Sequence, residues 1–399
     1  MSDAVEFDPL SDVFYSDPYE TYRRLRDEAP AYCNDTYGFW ALSRHEDVLK
    51  AHKDWHSFSS TYGLDLSMLT RHRPAGVPLI IMMDPPAHDR MRALVSRVFT
   101  PRAVTALEPM IRAVITGLLD GLVGRETFDA VADFSGPFPV EIIARMLGVP
   151  EGDRQQIRHW TDLVLKRHPG DIDPTPEGVE ASVAMGAYLY ELVGCKRHRA
   201  DDDMLSRLCE VEVERDDGSR THLDDVEIAG FASLLASAGA ETVTKLVGNA
   251  VVLFARHPDQ WHAVLDDPDR VPRAVEEILR YWPPSQYQGR FSMQPTTWHG
   301  VTIPAGSPVL LLTGAATRDE RAFDDPDQFD INRAPSIALG FGYGIHSCLG
   351  AALARMESRI AIEELGRRWP RYSVDERGLR RVQMSNVAGF SNVPVVASG

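Results

Sequence analysis

Phe341-Gly342-Tyr343-Gly344-Ile345-His346-Ser347-Cys348-Leu349-Gly350 crowds three glycines around one histidine and one cysteine. Glycine tolerates positive φ and leaves room beside the backbone, so this stretch is suited to close approach by another group. The residues that follow, Ala351 to Trp369, carry Leu353, Met356, Ile360 and Leu365 on one side and predict a long helix. Cys348 therefore stands just before a helix N-terminus, where unpaired amides and the helix dipole favour an anionic sulfur. Such a thiolate can serve as a soft metal ligand. A lone cysteine is otherwise a small buried hydrophobe, and Cys33, Cys195 and Cys209 are read that way.

Upstream, Ile228 to Ala255 is the longest apolar stretch. Glu241, Lys245 and Asn249 interrupt it and would be costly in lipid, so a helix through a protein core is expected rather than a membrane span. Inside it, Ala238-Gly239-Ala240-Glu241-Thr242 sets an acid and an alcohol among small residues. The Thr242 hydroxyl can bond back to the Ala238 carbonyl, and Gly239 eases bending. Two readings stay open: a turn widened for chemistry, or a kinked core helix in which Glu241 pairs with a buried cation. Glu277 and Arg280, three apart, share a helix face and by composition alone make an ordinary exposed pair. Asp84-Pro85-Pro86 reads as a helix start, after which His88 and Arg92 fall on one face and can point at one anion.

The rest of the chain predicts a mainly α fold with a small β part. Helical spacing covers Pro18–Asp27, His45–His52, Pro86–Phe99, Val104–Leu122, Val140–Met146 and Gly178–Leu192. Strand signals lie at Phe39–Leu42, Thr296–Ile303, Pro308–Leu312 and on both sides of Asn386, and Glu212–Asp225 reads as a surface loop or hairpin. No βαβ rhythm and no fixed repeat is visible, so residues 1–399 are read as one domain. The net charge of −16 argues against nucleic acid and anionic membranes as partners. Met1–Tyr15 is acidic and lacks the basic start and apolar run of a signal peptide, so a cytoplasmic address is expected.

The pattern Phe-Gly-x-Gly-x-His-x-Cys-x-Gly at 341–350 resembles the haem-binding loop of cytochromes P450. The other motifs fall in that family's order along nearly the whole chain. The resemblance implies the P450 fold, with haem b (iron protoporphyrin IX) between the long distal helix and the helix after the cysteine loop. It makes Cys348 the axial iron ligand and lets Phe341, Gly342, Gly344 and Gly350 shape the loop. His88, Arg92, Arg290 and His346 are the implied propionate contacts. Thr242 and Glu241 inherit the roles of dioxygen-stabilising alcohol and proton-delivering acid. Glu277, Arg280 and Arg333 become a buried structural triad. In this family the axial thiolate pushes electron density onto the iron and favours O–O cleavage.

The same resemblance implies a monooxygenase that uses O2 on an apolar or amphipathic organic substrate. Electrons would come from NAD(P)H through a separate reductase and a ferredoxin, because the chain has no Rossmann or flavin fingerprint and no iron–sulfur cysteine set. A monomer without membrane insertion is implied. Family position suggests substrate contacts in the loop Thr61–Met82, the region 165–185, Ser285–Gln288 and Val387–Phe390. Ile80, Leu235, Ala236, Val387 and Phe390 favour an apolar pocket, and Gln286, Tyr287 and Gln288 can orient an oxygen-bearing group. Arg97, Arg102, Arg355 and Arg359 are expected to form a basic face that attracts an acidic ferredoxin. The competing enzyme reading is a peroxide-driven peroxygenase, whose members resemble Arg-Pro where this chain has Glu241-Thr242. A haem-binding sensor is the non-catalytic alternative.

Overall fold

The computed structural model describes residues 4–76, 79–96, 98–214 and 218–397. The helices that position the site are α1 (Tyr19–Glu28), α2 (His45–Lys53), α3 (Ala87–Val95), α4 (Pro101–Asp120) and α5 (Pro137–Leu147), followed by α6 (Arg154–Leu165) and α7 (Pro176–His198). Next come α8 (Asp225–Arg256), α9 (Val271–Tyr281) and α10 (Ala351–Arg368). The apolar faces of α3 to α10 converge on one large core cluster that takes in residues from Ile80 to Val395, while α1 and α2 pack into two smaller clusters.

Helix α8 is the axis of that core, buried along most of its length from Ile228 to Phe254. Its start is fixed by a capping box: the Asp224 carboxylate accepts from Glu227 N–H while Glu227 accepts from Asp224 N–H. Its end falls at His257, just before Pro258, whose ring disfavours helical backbone in the preceding residue. It is the one helix, among the described residues, long and apolar enough to cross a membrane, and it is spent on packing against α5, α7 and α10.

Five strands form the main sheet: β1 (Ala31–Asn34), β2 (Phe39–Leu42), β3 (Phe58–Ser59), β4 (Gln288–Ser292) and β5 (Pro308–Leu311), in the order β1-β2-β5-β4-β3. β5 runs parallel to β2 and antiparallel to β4, where Arg290 lies opposite Val309. The sheet contributes to two smaller apolar clusters, Ala41, Phe291 and Leu310 to one and Leu42, Val309 and Leu311 to the other. The expected hairpin between α7 and α8 is present as Glu212–Glu214 paired with Arg220–His222.

One expectation needs correction, and another is met. The helix expected at Pro86–Phe99 stops at Val95, and the next begins at Pro101 because the Thr100 hydroxyl caps the Ala103 N–H ahead of a proline in the first turn. The strands expected near both sides of Asn386 are present as Arg380–Arg381 paired antiparallel with Phe390–Asn392, with isolated bridges of Ser285 to Val387 and Lys166 to Met384 beside the asparagine. Between them the Asn386 side chain donates to the Tyr287 carbonyl and ties the segment to the chain just before β4.

Candidate active site

The cysteine loop is folded by its own backbone. Gly342 and Gly344 both take positive φ, at 65° and 70°, and the Cys348 N–H donates back to the Phe341 carbonyl at 2.9 Å. A side chain on Gly344 would put a Cβ 2.4 Å from the His52 carbonyl, so the end of α2 packs directly on the loop. Arg355, one turn into α10, lies over the Phe341 ring at 4.5 Å. Cys348 is solvent-accessible, although it sits among enough protein to desolvate it. Burial pushes its thiol up, while the Gly350 N–H, Arg92 and Arg355 pull it down. The lowering devices expected from the sequence are there, but burial outweighs them; a bound metal ion would reverse that balance by deprotonating the thiol.

Beside the loop lies a cluster of basic groups with little to bind. The His88 and His346 rings are 4.5 Å apart, and Nε2 of each is buried without a hydrogen-bond partner. His88 Nδ1 is 3.1 Å from Asp89, and Arg92 donates to the Ser347 carbonyl at 2.7 Å. Arg290, on β4, is buried and donates to the carbonyl of its neighbour Gly289. Burial lowers it to about 10, and the carboxylate that opposes this, Asp84, is already bonded to Ser59 and Ser60. Burial, then the charges of Arg290, His88, Arg92 and His52, hold His346 down to about 2.

Unpartnered buried donors with excess positive charge call for an anion. The two propionates of haem, with the cysteine as fifth ligand to the iron, match that need in charge and in donor type. The residues present therefore fit the group.

Helix α8 contributes a different kind of surface. Ala238 is exposed in the middle of this otherwise buried helix, and Leu235, Gly239 and Thr242 beside it are half-buried. This face is accessible, and Thr242 Oγ1 donates to the Ala238 carbonyl at 2.9 Å across it. Glu241 turns the other way: its carboxylate lies 2.5 Å from Lys245 Nζ, with side-chain exposures of 5% and 4%. Burial pushes Glu241 up to about 6 against the pull of Lys245, and Asp162 on α6 is raised by burial beside it. The turn thus holds both features weighed from the sequence, the back-bonded threonine and the acid paired with a buried cation. Lys245, one turn beyond Glu241, was legible as the partner from its spacing alone.

Behind the loop, Arg280 makes a two-pronged contact with Glu277 at 2.7 Å, and Arg333 reaches the same carboxylate at 3.2 Å. Glu277 and Arg280 are buried, not the exposed pair that composition alone suggests.

The proposed substrate contacts divide. Ile80 is buried in a short turn whose neighbour Leu79 packs by Gly230 of α8, and Leu235 is half-buried on the accessible face of α8. Ala236 is wholly buried and belongs to the core. Gln286 donates to the Pro283 carbonyl and accepts from Tyr22, while Tyr287 donates to the Ser385 carbonyl, so neither has a polar group left to orient a substrate. Phe390 packs on Trp282 under the Arg381 guanidinium, and Val387 joins Val382 and Met384 in a small cluster against Leu165. Val77 and Pro78 of the loop at 61–82 lie outside the described residues.

Of the four arginines expected to form a basic face, Arg102 is exposed and two are ion-paired. Arg355 is paired with Glu276 at 2.6 Å, and Arg359 with Glu108 and Glu363 at 3.0 and 2.8 Å. Arg97 lies outside the described residues.

Comparison with known proteins agrees with this geometry. The family model described as Cytochrome P450 matches residues 180–370. The chain is 44% identical to the putative cytochrome P450 123 of Mycobacterium tuberculosis over 97% of this chain and 96% of that protein. It is 37% identical to the vitamin D(3) 25-hydroxylase of Pseudonocardia autotrophica over 98% and 96%. A solved structure of a mutant of P450 EryK, an enzyme of S. erythraea, in complex with erythromycin B superposes with a TM-score of 0.87 at 37% identity, covering 96% of each chain. Identity at this level over nearly the full length, on a fold that brings an accessible cysteine to a pocket of orphaned basic groups, shows that the chain belongs to the cytochrome P450 family and is a bacterial-type P450 monooxygenase.

Proposed function

We propose that this monooxygenase hydroxylates an amphipathic, oxygen-bearing lipophilic molecule, drawing electrons from a separate ferredoxin. Bound haem, ligated by the Cys348 thiolate, would supply O2 activation and insertion of one oxygen atom into a C–H bond, the second leaving as water. His88, Arg92, Arg290 and His346 would hold its propionates, and Phe341, Gly342 and Gly350 would keep the loop close beneath it.

The accessible face of α8 carries the reading of the chemistry. Ala238 leaves open space, and the Thr242 hydroxyl stands at its edge with its proton parked on a backbone carbonyl. Rotation away from that carbonyl would let it donate into the cleft. Glu241, held near a pKa of about 6, can take up or give a proton close to neutral pH, and Lys245 keeps it from swinging freely. An acid and an alcohol in this setting favour an O2-using enzyme over a peroxygenase or a sensor.

Support for the substrate class comes from the apolar lining at Ile80 and Leu235 and from the relatives, one named for vitamin D(3) and one solved with erythromycin B. Both molecules are large, mostly apolar and oxygenated. A ferredoxin fed by an NAD(P)H-dependent reductase is the electron route, with the chain acting as a cytoplasmic monomer of one domain. The test is reconstitution with ferredoxin, reductase and a panel of sterols, macrolides and fatty acids under 18O2. The expected result is substrate-dependent NAD(P)H consumption with one labelled atom in the product. Unlabelled product formed only with added peroxide, or NAD(P)H consumption that no substrate alters, would contradict the proposal.

A further inference from the structure

His52 stands in the last turn of α2, and the site as described so far gives its ring nitrogens no role. It is 4% exposed, and neither ring nitrogen has a hydrogen-bond partner. A buried imidazole with both nitrogens idle is costly, because the neutral ring always carries one donor and one acceptor. Its surroundings explain where the donor points. The His52 carbonyl abuts Gly344, so the residue is locked against the cysteine loop. On the other side, Gln288 and Arg290 project from the same face of β4, two residues apart. The Gln288 amide lies close enough to act on the His52 ring, but its bonds of good geometry go to Ser285 and Thr313, at 2.9 and 2.6 Å. Arg290 is close enough for its charge to act on His52, and His52 in turn acts on His346. The ring therefore joins the basic cluster of His88, His346, Arg92 and Arg290, and each of the cluster's imidazoles carries an unpartnered nitrogen.

We propose that His52 is a further haem-holding residue of this chain, donating a ring N–H to the propionate that Arg290 binds. The inference rests on the haem reading and extends it to a residue that no motif marks. Two carboxylates offer four oxygens with two lone pairs each, enough to accept from His52 as well as from the other four groups. Burial and Arg290 hold the His52 ring neutral, down to about 3, so it adds a donor to this crowded site without adding charge. His52 is a positioning residue: it fixes the cofactor edge and leaves the iron and its thiolate untouched.

The experiment compares His52→Gln with His52→Met in the holoprotein, two side chains of nearly equal size of which only the first keeps an N–H donor. Haem transfer to an excess of apomyoglobin is timed for each and for the wild type, and then repeated after reconstitution with haem dimethyl ester, which has no carboxylates. His52→Met should lose haem about tenfold faster, as removal of one charge-assisted hydrogen bond implies, and His52→Gln should stay within about twofold of wild type. The difference should vanish with the dimethyl ester. Equal loss from both variants, wild-type retention in His52→Met, or a difference that persists with the ester would each overturn the proposal. If His52→Met yields no holoprotein, His52→Ala, which opens space instead of filling it, gives the same comparison with His52→Gln. The carbon monoxide spectrum of the wild type separates this outcome from the haem reading itself. A thiolate-type Soret band with unchanged haem loss in the variants removes His52 alone, whereas absence of that band removes the cofactor assignment.

Discussion

Thr242 and Glu241 are neighbours in sequence but face different worlds, and their substitutions should separate accordingly. Thr242 borders the accessible face of α8, so Thr242→Ala should still bind substrate and consume NAD(P)H while forming more hydrogen peroxide and less product. Product-to-NAD(P)H ratios check this, and an unchanged ratio would leave the threonine only its bond to Ala238. Glu241 is buried against Lys245, and its raised pKa sets the sign of a pH effect. A carboxyl whose folded pKa is raised adds stability while protonated, and that stability is lost as pH rises through the folded value, here about 6. Lys245→Met removes the counter-charge and raises the Glu241 pKa further. The variant should therefore lose about 3 kcal/mol at pH 8 but much less at pH 5, where the acid is neutral. Thermal melts at the two pH values measure the difference; equal losses at both would mean that Glu241 is not the group left unpaired.

At the scale of elements, the parts readable from sequence were those set by local chemistry. The Asp224–Glu227 capping box and Pro258 bracket α8, and Thr100 with Pro101 marks a helix start that apolar periodicity alone ran past. The glycine pattern at 342 and 344 identified the loop because positive φ restricts residue choice. What stayed hidden depended on contacts between distant segments. Nothing local in Gln286 or Tyr287 says that Tyr22, Pro283 and Ser385 absorb their polar atoms, and nothing local in His52 says that it ends beneath Gly344. Likewise Glu277 and Arg280 have the spacing of a surface pair, yet Arg333 and the carbonyls of Thr317, Pro326 and Gln328 enclose them. Since a buried arginine stripped of its carboxylate is an uncompensated charge, Glu277→Gln should cost about 3 to 5 kcal/mol and yield mostly haem-poor protein. Chemical denaturation and the haem-to-protein absorbance ratio test this. A loss below about 1 kcal/mol, the scale of an exposed pair, would show the triad to be dispensable.

The whole molecule carries a net charge of −16, and its arginines near the cysteine loop are largely neutralised by Glu276, Glu108 and Glu363. Electrostatic attraction of the proposed ferredoxin would therefore be weak. Its rate of reducing the enzyme should change by less than about threefold between low and physiological salt. Stopped-flow reduction at several ionic strengths measures this, and a steep fall would restore the steered encounter expected from the arginines alone. The proposed function turns on one bond, from Cys348 to haem iron. The most direct measurement is the absorption spectrum of the reduced protein under carbon monoxide, for wild type and for Cys348→Ser at matched haem content. The wild type should show the strongly red-shifted Soret band of thiolate-ligated haem, and Cys348→Ser should lose it. A wild-type spectrum without that band, or a band unchanged in Cys348→Ser, would contradict the assignment of Cys348 as the iron's ligand.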